Sequence, residues 1–162
     1  MEVKCTPEEG QRIVEQDRQE FFDRVAELIP LNEIPRIEAA YAFAAEAHSA
    51  QIRKSGIPYI THPIAVARVA LVELGLKTNS VMAALLHDVV EDTEYTVEDI
   101  QRNFGPDVAG LVQVLTKNSD GNYKVSKQID NFKQMLDSIN YDIRALLIKL
   151  ADRMHNMRTL GS

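Results

Sequence analysis

Apolar residues recur at three- and four-residue intervals along nearly the whole chain, the spacing that places them on one face of an α-helix. Val14, Phe21, Val25 and Leu28 form the first stripe. It is opened by Thr6-Pro7-Glu8-Glu9, a capping-box sequence with proline at the first helical position. After a turn bracketed by Pro30 and Pro35, the pattern predicts a helix over about 36–51 with Ile37, Ala40, Tyr41, Ala44 and Ala47 on one side. Residues 53–63, RKSGIPYITHP, read as a loop punctuated by Gly56, Pro58 and Pro63. A short helix from Pro63 to Leu74 then ends at Gly75 as a left-handed cap. The segment VMAALLHDVVED, capped by Thr78 or Asn79, is apolar on almost every side and is expected at the centre of the fold. Thr96 with Asp99 starts another helix that ends near Gly105-Pro106, and 107–117 is again apolar-periodic. A turn is expected at 118–123, and a helix at 126–139 with Ile129, Phe132, Met135, Leu136 and Ile139 on one face. Asp142 caps the last helix, IRALLIKLADRMHNM. Strands, linkers and repeats are not apparent, so the expected fold is an all-α bundle of about eight or nine helices with no significant sheet.

Composition narrows the class. A chain of 162 residues fits one domain spanning 1–162. A domain that size buries roughly 70% of its unfolded surface, so it needs no disulfide or structural metal to fold. Cys5 is the only cysteine, and the charged start MEVKCTPEEGQR is no secretory signal, which together point to the cytoplasm. No apolar run approaches the roughly 20 residues of a membrane helix. A net charge of −6 argues against a nucleic-acid-coating protein, although a few local cations and a metal could still hold a small anion.

The candidate chemistry lies where acids and histidines interrupt apolar helices. His87 and Asp88 follow ALL and precede VV; Glu91 stands four residues after His87, and Asp92 four after Asp88. On a helix each pair shares a face, so one imidazole and three carboxylates gather within two turns. Burying that many ionised carboxylates without a cation would be very unfavourable, which points to a metal site. An exposed acidic helix end with Glu91 and Asp92 solvated suits Asp92 alone, and suits His87-Asp88 poorly. Asp152 sits in LIKLADRMHNM, with Asn156 and Thr159 on nearly the same stripe; taken alone it reads as a surface acid paired with Lys149 or Arg153. His62, in the turn THP, joins the site only if that turn packs over the His87 helix. His48 and His155 read as structural or supporting histidines. Together His62, His87, Asp88 and Asp152 offer two imidazoles and two carboxylates, a set suited to manganese, iron or zinc more than calcium. The lack of a cysteine ligand argues against a structural zinc site.

The pattern of His62, His87-Asp88 and Asp152 resembles the HD superfamily of metal-dependent phosphohydrolases. More specifically, RKSGIPYITHP, LLHDVVEDT, FGPDVAGLV and LIKLADRMHNMRTL resemble the (p)ppGpp hydrolase domain of RelA/SpoT homologues, over about 39–160. Residues 1–35 are similar to that domain's less distinctive first helix. The resemblance implies an all-helical HD domain that removes the 3′-pyrophosphate of guanosine tetra- or pentaphosphate, giving GDP or GTP and pyrophosphate in the stringent response. It implies one manganese ion held by His62, His87, Asp88 and Asp152. Glu91 and Asp92 match the acidic pair that serves the catalytic water. Arg53, Lys54 and Ser55 match a nucleotide-binding segment, and Asn156 and Thr159 match positions lining the sugar-phosphate side of the pocket. Such domains are normally followed by further helices, a synthetase domain and regulatory domains, so the chain is expected to be the N-terminal piece of a longer bifunctional protein. Two alternatives stand beside this: an HD phosphatase for another nucleotide such as NADPH, and a non-catalytic regulatory HD module.

Overall fold

A computed structural model describes residues 4–117 and 143–159. The turn expected at 118–123, the helix at 126–139 and the cap at Asp142 lie outside the described residues. Helix α1 spans Pro7–Leu28 and α2 Ile34–Ala47, the latter preceded by a 3₁₀ turn at Leu31–Glu33. Helix α3, Thr61–Arg68, runs on into a π-helical turn at Val69–Glu73. Then come α4 (Thr78–Leu86), the single turn α5 (Val89–Asp92), α6 (Val97–Phe104), α7 (Pro106–Lys117) and α8 (Ile143–Arg158). The all-helical class holds, and no strand occurs among the described residues. Among the described residues, seven helices reach eight residues and α5 is a single turn.

Local signals explain most of the boundaries. The Thr6 hydroxyl accepts a hydrogen bond from the Glu9 N–H and starts α1. At α6 the capping box of Thr96 and Asp99 is reciprocal: the Asp99 N–H donates to Thr96, and the Thr96 N–H donates to Asp99. Thr78 does not act as a cap. It is the first residue of α4, and its hydroxyl donates to Glu33 across the fold.

Helix α4 forms the centre, as its uniformly apolar sequence requires. Thr78 and every residue from Ser80 to Leu86 are buried. It packs against α2, α3 and α7, and α3 also packs against α8. The alanines Ala40 and Ala44 of α2 are fully buried, which allows the close approach to α4. One core cluster continues from Phe21 and Val25 of α1 through Met82 and Leu85 to Ile148 of α8. Among the described residues no helix is long and apolar enough to cross a membrane.

Two departures from the periodic reading shape the site. The segment expected as one helix over 81–92 is broken, with His87 and Asp88 between α4 and α5. His62 lies in the first turn of α3 rather than in a preceding loop, because Pro63 is tolerated where the backbone N–H has no helical partner.

Candidate metal centre

Three elements deliver the polar side chains to one place. The first turn of α3 brings His62, the break between α4 and α5 brings His87 and Asp88, and the middle of α8 brings Asp152. The two histidines are buried, at 3% and 7% exposure, where an apolar helix end would otherwise continue the core. The His62 Nε2 lies 2.7 Å from Asp152 Oδ1 and 3.7 Å from Asp88 Oδ2. The His87 Nε2 lies 3.1 Å from Asp88 Oδ2 and 3.3 Å from Asp152 Oδ1. One donor atom from each of the four residues falls within 4.8 Å of all the others.

That donor set fits a divalent cation. Ligand atoms bound at about 2.0–2.2 Å to one ion stand roughly 3–4 Å from one another; three of these contacts, at 3.1, 3.3 and 3.7 Å, fall in that range, and His62 with Asp152 at 2.7 Å is closer. The His87 Nδ1–H donates to the Ala84 carbonyl at 2.6 Å, which leaves Nε2 as the ring atom offered to the carboxylates. The Tyr59 hydroxyl donates to Asp88 Oδ2 at 2.6 Å, fixing that carboxylate from the other side. The electrostatics express the same concentration of charge. Burial alone would lower the His87 pKa, but the Asp88 and Asp152 carboxylates outweigh it and hold the pKa well above the usual histidine value. Burial would raise Asp152, but hydrogen bonds from His62 and His87 hold it well below the ordinary carboxylate range. Two carboxylates facing two buried imidazoles demand a positive charge between them.

The surroundings correct several expectations. Asp152 is paired with two histidines, not with Lys149 or Arg153 as its stripe alone suggested. Glu91 and Asp92 are exposed and Asp88 is partly buried, so none of the three acids is fully enclosed, because α5 is a single turn whose far end opens to solvent. Both still border the centre: partial burial and then the Asp88 carboxylate push the pKa of each upward. His48 is a buried histidine whose Nδ1 meets Gln51, and Gln51 in turn donates to the Asp92 carbonyl at 3.1 Å.

The loop before α3 carries the basic segment. The Arg53 N–H bonds to the Ile57 carbonyl and the Gly56 N–H to the Arg53 carbonyl, a tight turn in which Gly56 has φ +85°. A Cβ on Gly56 would also come within 2.8 Å of the Cys5 carbonyl oxygen, so this position suits glycine alone. The turn holds Arg53 close enough for its charge to act on His155. Lys54 is exposed, and the Ser55 hydroxyl is buried without a hydrogen-bond partner. On α8, Asn156 is exposed one turn beyond Asp152, and just past the helix end the Thr159 hydroxyl donates back to the His155 carbonyl.

Sequence reasoning missed Tyr59, whose aromatic ring in a proline-rich loop looks like ordinary packing; its place three residues before His62 was the available signal. His155, read from the sequence only as a structural or supporting histidine, stacks its ring on His62 with centroids 4.8 Å apart.

Residues 40–162 match the family described as HD domain. The chain is 49% identical over 148 residues to the bifunctional (p)ppGpp synthase/hydrolase SpoT of Escherichia coli K12, covering 88% of this chain and 21% of that protein. It is 50% identical over 121 residues to the guanosine-3′,5′-bis(diphosphate) 3′-pyrophosphohydrolase of Haemophilus influenzae, covering 74% of this chain and 18% of that protein. The chain thus spans about a fifth of the length of these curated relatives. A solved structure of a metazoan ortholog of SpoT, described as hydrolyzing ppGpp, superimposes with a TM-score of 0.62 at 36% identity, covering 76% of this chain and 68% of that one.

Proposed function

The chain belongs to the HD domain family, on the branch of the RelA/SpoT homologues, and from that premise we propose that it removes the 3′-pyrophosphate of guanosine tetra- or pentaphosphate. The observation that carries this reading is the convergence of His62, His87, Asp88 and Asp152 on one point. Those four residues would hold one divalent ion, which we take to be manganese. Such an ion, when bound, supplies Lewis acidity and makes nearby water more acidic.

The chain's own residues do the rest. In the reaction, water adds to the phosphorus attached at the 3′ oxygen. The bond from that phosphorus to the 3′ oxygen breaks, pyrophosphate leaves carrying the water oxygen, and a 3′-hydroxyl is left on GDP or GTP. Glu91, on the rim one turn beyond His87, accepts the water's proton or orients it, with Asp92 beside it. Arg53, Lys54 and Ser55 face the nucleotide, with the Arg53 guanidinium balancing phosphate charge and stacking on the base. Asn156 and Thr159 border the sugar-phosphate side of the same cleft. Tyr59 and the Ala84 carbonyl hold Asp88 and His87 in place.

The test is release of pyrophosphate from ppGpp by the purified protein supplied with manganese, with magnesium and zinc in parallel. Release with manganese is expected. No release with any of the three would overturn the reading.

A further inference from the structure

Lys149 stands one helical turn before Asp152 on α8 and has no part in the reaction described so far. Its placement inverts the usual habit of lysine, which buries its stem and keeps its ammonium in water. Here the residue is only half-buried, yet its Nζ is fully buried and has no hydrogen-bond partner. An ammonium withdrawn from water with all of its donors unused is strongly disfavoured unless something anionic meets it. Burial works against the ammonium, while the charges that act on it are the Asp152 and Glu91 carboxylates, which favour it, and Arg153, which opposes it. Asp152 Oδ1 already faces the Nε2 atoms of His62 and His87, and it makes no hydrogen bond with Lys149. Glu91 does not accept from it either. The donors therefore lie within electrostatic reach of an acid that holds the centre and an acid on its rim.

We propose that Lys149 is a phosphate-binding residue whose Nζ donates to the oxygens of the substrate's pyrophosphoryl group. This rests on the reading that the substrate carries such a group. The anion would supply the acceptors that the protein itself does not, and the lysine charge would offset the repulsion between the incoming phosphates and Glu91.

The probe is inorganic pyrophosphate, titrated calorimetrically into manganese-loaded protein, with GDP as the comparison. Lys149→Met keeps the stem and apolar packing while removing the charge. It is expected to weaken pyrophosphate binding by about tenfold or more, to change GDP binding by less than about twofold, and to leave manganese stoichiometry intact. Lys149→Arg is expected to stay within about threefold of the parent. Unchanged pyrophosphate affinity in Lys149→Met overturns the proposal. So does parallel loss of manganese, which would make Lys149 a structural support of the centre. Lys149→Gln, read in the same way, decides the case if the methionine variant does not fold. Turnover of ppGpp by the parent protein tests the substrate separately. Weakened pyrophosphate binding without ppGpp turnover keeps Lys149 and removes the substrate; ppGpp turnover with unchanged pyrophosphate affinity removes Lys149 alone.

Discussion

The Nδ1 atoms of His62 and His155 stand 2.6 Å apart, so one ring donates a proton to this contact and the other accepts. The opposite nitrogen of His62 faces Asp152 at 2.7 Å and belongs to the four-residue donor set. For that Nε2 to offer a lone pair, His62 must carry its proton on Nδ1, which makes His155 the acceptor. His155 is suited to accept. Burial first, then the neighbouring charges of His62 and Arg53, push its pKa down to about 4, so it is neutral near pH 7. Partners of this kind are typically worth about 10–100-fold in metal affinity. His155→Ala is therefore expected to weaken manganese binding by about that factor, and His155→Asn, whose side-chain oxygen lies near the former Nδ1, to recover most of it. Calorimetry showing equal affinity in the alanine variant would remove His155 from this role.

Arg53 separates nucleotide binding from metal binding. It lies in the Gly56 turn, outside the four-residue cluster, but near enough for its charge to act on His155. Arg53→Ala is expected to weaken ppGpp binding while manganese content stays at one ion per chain. Unchanged nucleotide affinity by titration calorimetry would take Arg53 out of the site.

Away from the centre, Asp107 ties the start of α7 to α8 and α4. It accepts two hydrogen bonds from Arg144 and one from Asn79, each at 2.8 Å. The Arg144 bonds come first among the causes that hold its pKa below the ordinary value of 3.8. A carboxyl with a depressed folded-state pKa adds stability above its unfolded pKa, and that stability is lost as the pH falls through the folded value. The side chain is about half exposed, so the contribution should stay below about 1 kcal/mol. Asp107→Asn is expected to lower the melting temperature slightly at neutral pH, and the gap should close as the pH falls below 3.8. A gap that persists in acid would assign the effect to packing.

What the sequence made legible was the chemistry that breaks a pattern. His87 and Asp88 stood out because two polar groups interrupt the most apolar helix, and the need to neutralise a buried acid identified a cation site. The break of that helix at the same two residues was not legible, because the apolar spacing continues through Val89 and Val90. Asp152 looked like a surface acid because helical spacing relates it to Lys149 and Arg153; its true partners lie 90 and 65 residues away, at His62 and His87. Tyr59 and His155 act through contacts across 29 and 93 residues, which no local pattern encodes. The exposure of Glu91 and Asp92 follows from the shortness of α5, and helix length was the least determined feature of the periodic reading.

Glu91 gives the sharpest separation of catalysis from binding. It is exposed on the one-turn helix α5, and its pKa is pushed up first by partial burial and then by the Asp88 and Asp92 carboxylates. It lies outside the four residues whose donor atoms converge. A carboxylate so placed can meet an attacking water without holding the ion. A general base or water-orienting group typically contributes about 10²–10⁴-fold, so Glu91→Gln is expected to lower ppGpp hydrolysis by at least about 100-fold. The swap is nearly isosteric and at an exposed position, so the melting temperature should hardly move. Removing a negative charge next to bound phosphates should leave ppGpp affinity equal or higher. The expected signature is retained manganese, retained or tighter ppGpp binding and lost turnover. Loss of manganese in Glu91→Gln would make Glu91 a ligand and end the four-ligand description. Turnover within a few-fold of the parent would leave Glu91 a solvated acid at a helix end and pass the role to Asp92, its neighbour on the same rim.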